Sequence, residues 1–448
     1  MNSYIKNDNY LNERVFLSKM ATSEQKSPED SRSVWSKYGL RESPFTTIPT
    51  RLLGILPIGK VFSGREKETE RLIKILISSN TTRTVVLGDF GVGKTTFVNY
   101  VKWRLCLRNK SKSEFVTTPV EIKIQPQWDA EKFLLSTLSS VYNASIIFKW
   151  EDEGITLQSL KKIEEYVTIG TQRGVQGTVG VFGGGYSETK SVPSTISPEV
   201  YESLLNSLCL ELRERGKQLI ISYDNMENIK RDELADFFRT IKDYIQIEGL
   251  HTIFIGPPTC LSALEKYPQV HTVFTQPIIL ESLTEENVLD VLRKRCEALK
   301  FQQGNYIPPY DDSTVRKTYQ KLNNIRFTFK ILEDTTFATE SQAPCKITMN
   351  EIIAVQEKEK KEILSKLSNQ ESKIIGTLMN VQDSKVNLSR LSTLTKIGTT
   401  NLRGPLTELE SKGLIIISIS EEDKRIKYVR LSDNSYLRAF FTAADLKK

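Results

Sequence analysis

A parallel α/β sheet with helices on both faces, then a helical segment, then a small C-terminal unit of helices and a β-ribbon is the fold class the sequence predicts. Three observations carry it. Before Thr284, short apolar runs of strand character alternate with helical periods, the pattern of a doubly wound parallel sheet. Beyond Thr284 the pattern is helical only. From Ser368, three helical periods precede two apolar runs joined by EEDKR. At 448 residues the chain is also too long for one core of ordinary size, so several domains are expected.

Taken in order, residues 1–34 are rich in Asn, Ser, Lys and Glu without apolar periodicity and are expected as a disordered, solvated tail. From Trp35 the character changes: YGLRESPF leads to VFSGREKETERLIKILI, where Leu72, Ile73, Ile75 and Leu76 recur at helical spacing. TTRTVVLGDFGVGKTTFVNYVKWRL then reads as an apolar strand, a glycine-rich turn and a helix. EFVTTPVEIKI alternates like a strand, and Asp129 is placed to cap the helix in DAEKFLLSTLSSVY. A polar, glycine-rich insert spans about 149–198. The helix in VYESLLNSLCLELRERG stops at Gly216, and KQLIISYDN reads as a buried strand closing on an acidic residue. The helix RDELADFFRTIKDYIQ and the strands HTIFIG and QPIILESLT complete a base over residues 35–283.

Residues 284–355 hold only helical periods, the last opened by a Thr348/Glu351 capping box. The run QEKEKKE within 356–367 mixes signs, which favours a solvated helical linker over a nucleic-acid patch. In 368–448, Ser368 and Glu371 form another capping box, Gly413 stops the third helix, and a hairpin follows. That is the plan of a winged helix-turn-helix. Pro405 inside the third helix removes one helical N–H, so that helix is expected to begin late or bend.

Composition excludes several classes. Charged residues at 26% and hydrophobic residues at 39% argue against wholesale disorder and against a fibrous protein. No apolar stretch has the length of a membrane span, and MNSYIKNDNY lacks the basic start and apolar run of a secretory signal, so a cytoplasmic protein without membrane attachment is expected. Cys106, Cys209, Cys260, Cys296 and Cys345 lie far apart with no C-x-x-C pair, which points to buried free thiols rather than disulfides or thiolate zinc. His251 and His271 both adjoin apolar runs that read as buried strands, leaving too little for a His-dependent triad or a His-rich metal site. The formal charge of +7 permits an anionic partner; residues 355–448 hold 17 Lys or Arg against 12 Asp or Glu, so +5 of it is local.

One motif carries chemistry. Gly88, Asp89, Phe90, Gly91, Val92, Gly93, Lys94 and Thr95 spell G-x-x-x-x-G-K-T between a strand and a helix that continues through Thr96. Glycines let backbone N–H groups converge on phosphate oxygens, the helix N-terminus adds a positive dipole, Lys94 reaches the outer phosphates and Thr95 can ligate Mg2+. Chance supplies such a pattern in about one chain of this length in a hundred, and the strand-turn-helix context lowers that further. Mg2+ then needs an anionic anchor, expected at the end of a buried strand lying beside the first one in the sheet; LIISYDNME supplies Asp224. Asn225 stands where many hydrolysing ATPases have a glutamate, so either Glu227 reaches the attacking water or hydrolysis is slow, and a switch is as credible as a motor.

With both motifs placed, residues from about Tyr38 to Val355 resemble the AAA+ ATPases of the origin-recognition and initiator type. YGLRESPF and FSGREKE resemble the family's N-terminal strap and F-x-G-R-E box, which implies Phe62, Gly64 and Arg65 near the adenine. DNMEN resembles the Walker B region, GPP sits where the sensor 1 strand ends, and LESLTEENVLDVLRKRC resembles the start of the helical lid. In LNNIRFTFKIL, Arg326 matches the lid arginine that contacts the outer phosphate. The chain departs from the family at Asn324, where glycine is usual, at the sensor 1 position, and in KYPQVHTVF, which lacks the arginine often donated to a neighbouring subunit. The resemblance implies a P-loop AAA+ base with a helical lid, ATP and Mg2+ as cofactors, and leaves oligomerisation open.

The C-terminal unit resembles MarR-like winged helices, whose third helix enters the major groove of double-stranded DNA. On this chain its start offers Thr399, Thr400, Asn401 and Arg403, and the wing offers Lys424, Arg425 and Lys427. Glu421, Glu422 and Asp423 in the same wing would repel phosphate, so docking of a protein partner is the alternative. Gly174, Gly177, Gly180, Gly183, Gly184 and Gly185, with Val175, Val179 and Val181 between them, suit a flexible hairpin, either a surface loop or a contacting finger. The expected function is an ATP-binding, slowly hydrolysing switch that couples nucleotide state to DNA affinity. A signalling or defence ATPase and an ATP-responsive transcription regulator are the alternatives.

Overall fold

The computed structural model describes residues 33–108, 112–172, 196–301, 304–339, 343–381, 385–419 and 425–432. The glycine-rich segment expected as a hairpin, Lys424, the acidic run 421–423 and residues 1–32 lie outside the described residues. The chain forms two compact units: Thr47–Ala298 with Asn323–Arg326, and Met1–Thr46 with Leu299–Leu322 and Phe327–Lys448.

The first unit is built on strands β1 (Thr82–Gly88), β2 (Phe115–Thr117), β3 (Ile122–Lys123), β4 (Gln218–Asp224), β5 (Leu250–Gly256) and β6 (Ile278–Leu280). They lie in the order β2-β4-β5-β1-β6, with β3 also on β4, and every pairing is parallel. Helix α1 (Ile58–Val61) packs on α3 (Lys94–Lys102), which with α2 (Glu66–Ile77) serves one face; α4 (Ala130–Ile147), α5 (Gln158–Gln172), α6 (Pro198–Glu214) and α7 (Arg231–Ile241) serve the other. The division follows from strand alternation: Val86, Ile220 and Ile253 pack with Leu72, Phe97 and Val101, whereas Val85, Ile221 and Tyr223 pack with Phe133, Leu205 and Phe238. Short helices α8 (Cys260–Glu265) and α9 (Pro268–His271) link β5 to β6, and α10 (Glu285–Leu299) follows. Asp129 caps α4 by accepting from the Lys132 N–H at 2.8 Å, as its position predicts.

Several expectations need correction. The segment read as a polar insert from residue 149 contains α5, whose Leu160, Ile163 and Val167 are buried in the core together with Trp150 and Leu157. Its apolar residues repeat at helical spacing, though charged neighbours surround them. EFVTTPVEIKI gives two short strands on β4, not one. His251 lies in β5 as expected, but His271 ends α9 and is exposed; Cys345 is exposed while the other four cysteines are buried.

In the second unit, Ser33 opens a 3-10 turn over Val34–Tyr38, so the last two residues of the expected tail are ordered. Trp35 meets Phe45 and Phe337 edge-on, and Phe45 meets Tyr310, which pins this segment on α12 (Ile325–Ala338) and on the residues just before α11 (Asp312–Leu322). The capping boxes opening α13 (Met349–Ser365) and α14 (Asn369–Asn380) are both present. QEKEKKE lies within α13 and carries the i,i+3 pair Lys360–Glu357 at 3.7 Å. After α14 come β7 (Val386–Asn387), α15 (Leu388–Thr395), α16 (Thr399–Ser411), β8 (Ile415–Ile419) and β9 (Lys427–Leu431). The antiparallel order β7-β9-β8 adds a short third strand to the ribbon. Ile374, Leu391, Leu402, Leu406 and Val429 form the core, and Gly413 follows α16 at φ 68°, the left-handed turn that favours glycine. Helix α16 runs from Thr399 to Ser411 with Pro405 inside it, so it does not begin late. Among the described residues no helix is long and apolar enough to cross a membrane.

Candidate functional site

Strand β1 delivers the chain to Gly88 at the carboxyl edge of the sheet, and α3 departs from Gly93. Gly91 and Gly93 hold φ of 79° and 91°; at Gly93 a Cβ would meet no atom within 4 Å, so the backbone angle alone requires glycine. The carbonyls of the turn are held by side chains. Lys94 Nζ donates to the oxygens of Gly88 at 2.8 Å and Asp89 at 3.0 Å, Arg65 Nη2 to Val92 at 2.8 Å, and Asn324 Nδ2 to Phe90 at 2.6 Å. With those oxygens tied back, the first-turn N–H groups of α3, at Lys94, Thr95 and Thr96, are the donors a helix leaves without internal partners. Burial pushes the Lys94 ammonium below its usual range, opposed by the charges of Glu227, Asp224 and Asp89.

Asp224 ends β4, and its Oδ2 accepts from the Thr95 hydroxyl at 2.6 Å while its Oδ1 accepts from the Asn225 N–H at 2.8 Å. The expectation that its strand lies beside β1 is wrong, because β5 stands between them. Both strands are apolar runs buried on two faces, and such runs carry no mark of who their neighbour is. Asp224 and Thr95 meet nonetheless, since α3 packs across β5 onto β4. Burial raises the Asp224 pKa, partly offset by the two hydrogen bonds, and the nearby charges of Glu121 and Glu227 raise it further. A carboxylate and a hydroxyl in contact, with a lysine close by, fit the oxygen donors that Mg2+ takes when it accompanies a phosphate chain. Glu227 is exposed on the 3-10 turn Met226–Asn228, after Asn225 in the left-handed conformation at φ 65°.

The remaining candidates are placed differently. Thr96 Oγ1 accepts from the Thr50 N–H at 3.2 Å. The Phe62 ring stacks on Tyr100 of α3 at 3.9 Å, and Arg65, only 8% exposed, donates to the Glu281 and Val92 carbonyls. Arg65 thus ties the turn to the residue after β6. Arg326 is exposed, with its guanidinium 4.8 Å above the Phe90 ring. A buried polar group was missed: Lys102 is wholly enclosed, 3.1 Å from Ser222 Oγ, and burial lowers its pKa to about 8 against the opposing pull of Glu121. Its signal was the spacing of Thr95, Asn99 and Lys102 along one face of a helix.

In the second unit, Thr399, Thr400, Asn401 and Arg403 are exposed on the first turns of α16, whose opposite face buries Leu402, Leu406 and Leu409. Arg425 and Lys427 are exposed at the turn of the ribbon and the start of β9.

Residues 65–265 match the KAP family P-loop domain. The chain resembles the structure of the Aeropyrum pernix ORC1 protein in complex with DNA, at 16% identity over 88% of this chain and 96% of that one, with a TM-score of 0.45. It resembles CDC6P from Pyrobaculum aerophilum at 15% identity over 90% and 97%, with a TM-score of 0.41. A Thermotoga maritima RuvB variant is similar at 11% identity over 84% and 94%, with a TM-score of 0.37. A search of curated proteins returned no match.

Proposed function

We propose that the protein binds ATP-Mg2+ at the turn between β1 and α3 and acts as a slowly hydrolysing switch. The observation that carries the reading is the contact of Thr95 with Asp224 at 2.6 Å, beside a lysine at the N-terminus of a helix behind a glycine turn. In this reading the first-turn N–H groups of α3 and Lys94 hold the phosphates, Thr95 and Asp224 hold Mg2+, and Arg326 turns from Phe90 to the outer phosphate. Bound Mg2+ would neutralise charge on the phosphate chain. Slow turnover is supported by Asn225, whose left-handed backbone sits where a water-orienting carboxylate would follow Asp224, and by Glu227 standing exposed.

The switch is proposed to act on double-stranded DNA through the segment 368–448 as a winged helix, with Arg403, Arg425 and Lys427 on phosphates and Thr399, Thr400 and Asn401 facing bases. Support comes from the local excess of basic residues and from the exposure of the α16 start. Helix α12 would be the covalent link: its first two residues belong to the nucleotide-binding unit and the rest to the other. Binding of labelled duplex DNA at several salt concentrations, with and without ATP-Mg2+, tests this. Affinity that changes with nucleotide in wild type but not in Lys94→Ala supports it. No DNA affinity in any state moves the reading to a protein partner.

A further inference from the structure

We propose that Asn324 is a positioning residue of the phosphate turn, fixing the Phe90 carbonyl while capping the helix that bears Arg326. The proposal rests on the nucleotide-binding reading above for its purpose, though not for its geometry. Asn324 precedes α12, and its Oδ1 accepts from the Arg326 N–H at 3.0 Å, the bond of a helix cap. Its Nδ2 donates to Phe90 O at 2.6 Å. Each bond fixes the other: reversing the amide would set oxygen against the Phe90 carbonyl and NH2 against the Arg326 N–H.

Space confirms the fit. A Cβ on Gly91 would lie 2.5 Å from Asn324 Oδ1 and 3.0 Å from Arg326 Cβ, so the turn can seat against this pair only with glycine there. Arg326 lies over the Phe90 ring, and Ser282 Oγ donates to the Asn323 carbonyl at 3.0 Å, anchoring the residue before. Two successive residues of the turn are therefore held by one short segment, Asn323–Arg326. Glycine at 324 could neither cap nor donate, and aspartate could cap but not donate, while adding negative charge beside an anion site. Holding the carbonyl outward keeps the following N–H groups set for phosphate before any ligand arrives, which lowers the reorganisation that binding requires.

The comparison of Asn324→Asp with Asn324→Ala separates this role from capping alone. In the full chain carrying 5-fluorotryptophan and Phe90→Trp, the added 19F resonance reports the turn without nucleotide. Both variants should shift and narrow it, and both should weaken ATP binding by about tenfold, the order of one lost hydrogen bond to a held group. The aspartate effect must persist at high salt, where its charge is screened. Asn324→Ala, which loses the cap as well, should lower the melting temperature more than Asn324→Asp does. If Asn324→Asp leaves the resonance and ATP affinity as in wild type, Asn324 is a helix cap and nothing more, and the proposal falls. If the resonance responds as expected in a protein that binds no ATP, the positioning role stands and the nucleotide reading fails.

Discussion

The phosphate turn and the start of α16 are the two places where this chain points polar residues at a proposed ligand, and they are made in opposite ways. At the turn, Lys94, Thr95, Asp224, Arg65 and Asn324 are tied to one another or to backbone carbonyls, on a sheet buried on both faces. At α16, Thr399, Thr400, Asn401 and Arg403 stand exposed above a small core that fixes the helix. A site assembled from mutual contacts is specific and fails sharply when one member goes. A site spread over a surface depends on charge and spacing, so its members should act weakly and nearly independently.

The comparison breaks most readily at Lys94. Lys94→Ala should weaken ATP binding by about a hundredfold or more, the loss of charge-assisted bonds to phosphate, with the melting temperature retained. Titration calorimetry with a circular-dichroism melt checks it, and a variant that binds as tightly as wild type would remove the turn's claim to be a site.

Next in size is an effect of burial in the sheet that frames the turn. Burial holds His251 neutral, with its pKa lowered to about 4 from 6.5, while Thr82 and Gln218 bond its two nitrogens. Between those values the unfolded chain binds the extra proton, so the contribution is complete above pH 6.5 and is lost as pH falls toward 4. From pH 7.5 to 5 the loss should be about 2 kcal/mol. Urea unfolding at both pH values measures it, and His251→Gln should lack this part of the acid dependence; an unchanged slope would contradict the assignment.

Smaller again is Gly93→Ala. There is room for the methyl group, so only the left-handed backbone opposes it, at about 1–2 kcal/mol of stability. A denaturation midpoint equal to wild type would mean the turn relaxes freely, against the picture of a preset site. The smallest effect is expected on the surface: Arg403→Ala should weaken DNA binding by about three- to tenfold, alike across sequences, and make the salt dependence shallower by about one unit. A larger, sequence-selective loss would show that the start of α16 reads bases through Arg403.

The same contrast decides what could be read in advance. Gly88 through Thr95 was legible because phosphate binding by a turn demands those residue types at fixed spacing, and Asp224 was legible as an acid closing an apolar run. Neighbours in the sheet were not, since β4 and β5 are equally apolar and nothing in either says which lies beside β1. Asn324 was visible as a departure from a family pattern, but its partner is a backbone carbonyl, which no residue type marks. Arg65 holds two backbone carbonyls beside the turn, contacts that no residue type marks and that only the folded turn supplies. Helix α5 was hidden by charge, although Leu160, Ile163 and Val167 repeat at helical spacing.

In the proposed function, Thr95, Asp224 and Lys94 together bind a nucleoside triphosphate with its metal. Calorimetric titration of ATP into wild type and Asp224→Asn, each with and without Mg2+, tests it most directly. Mg2+ should tighten binding by about tenfold or more in wild type and have little effect in Asp224→Asn, with residual metal-free binding preserved in both. Equal enhancement by Mg2+ in the two proteins, or no binding of ATP to wild type under either condition, would contradict it.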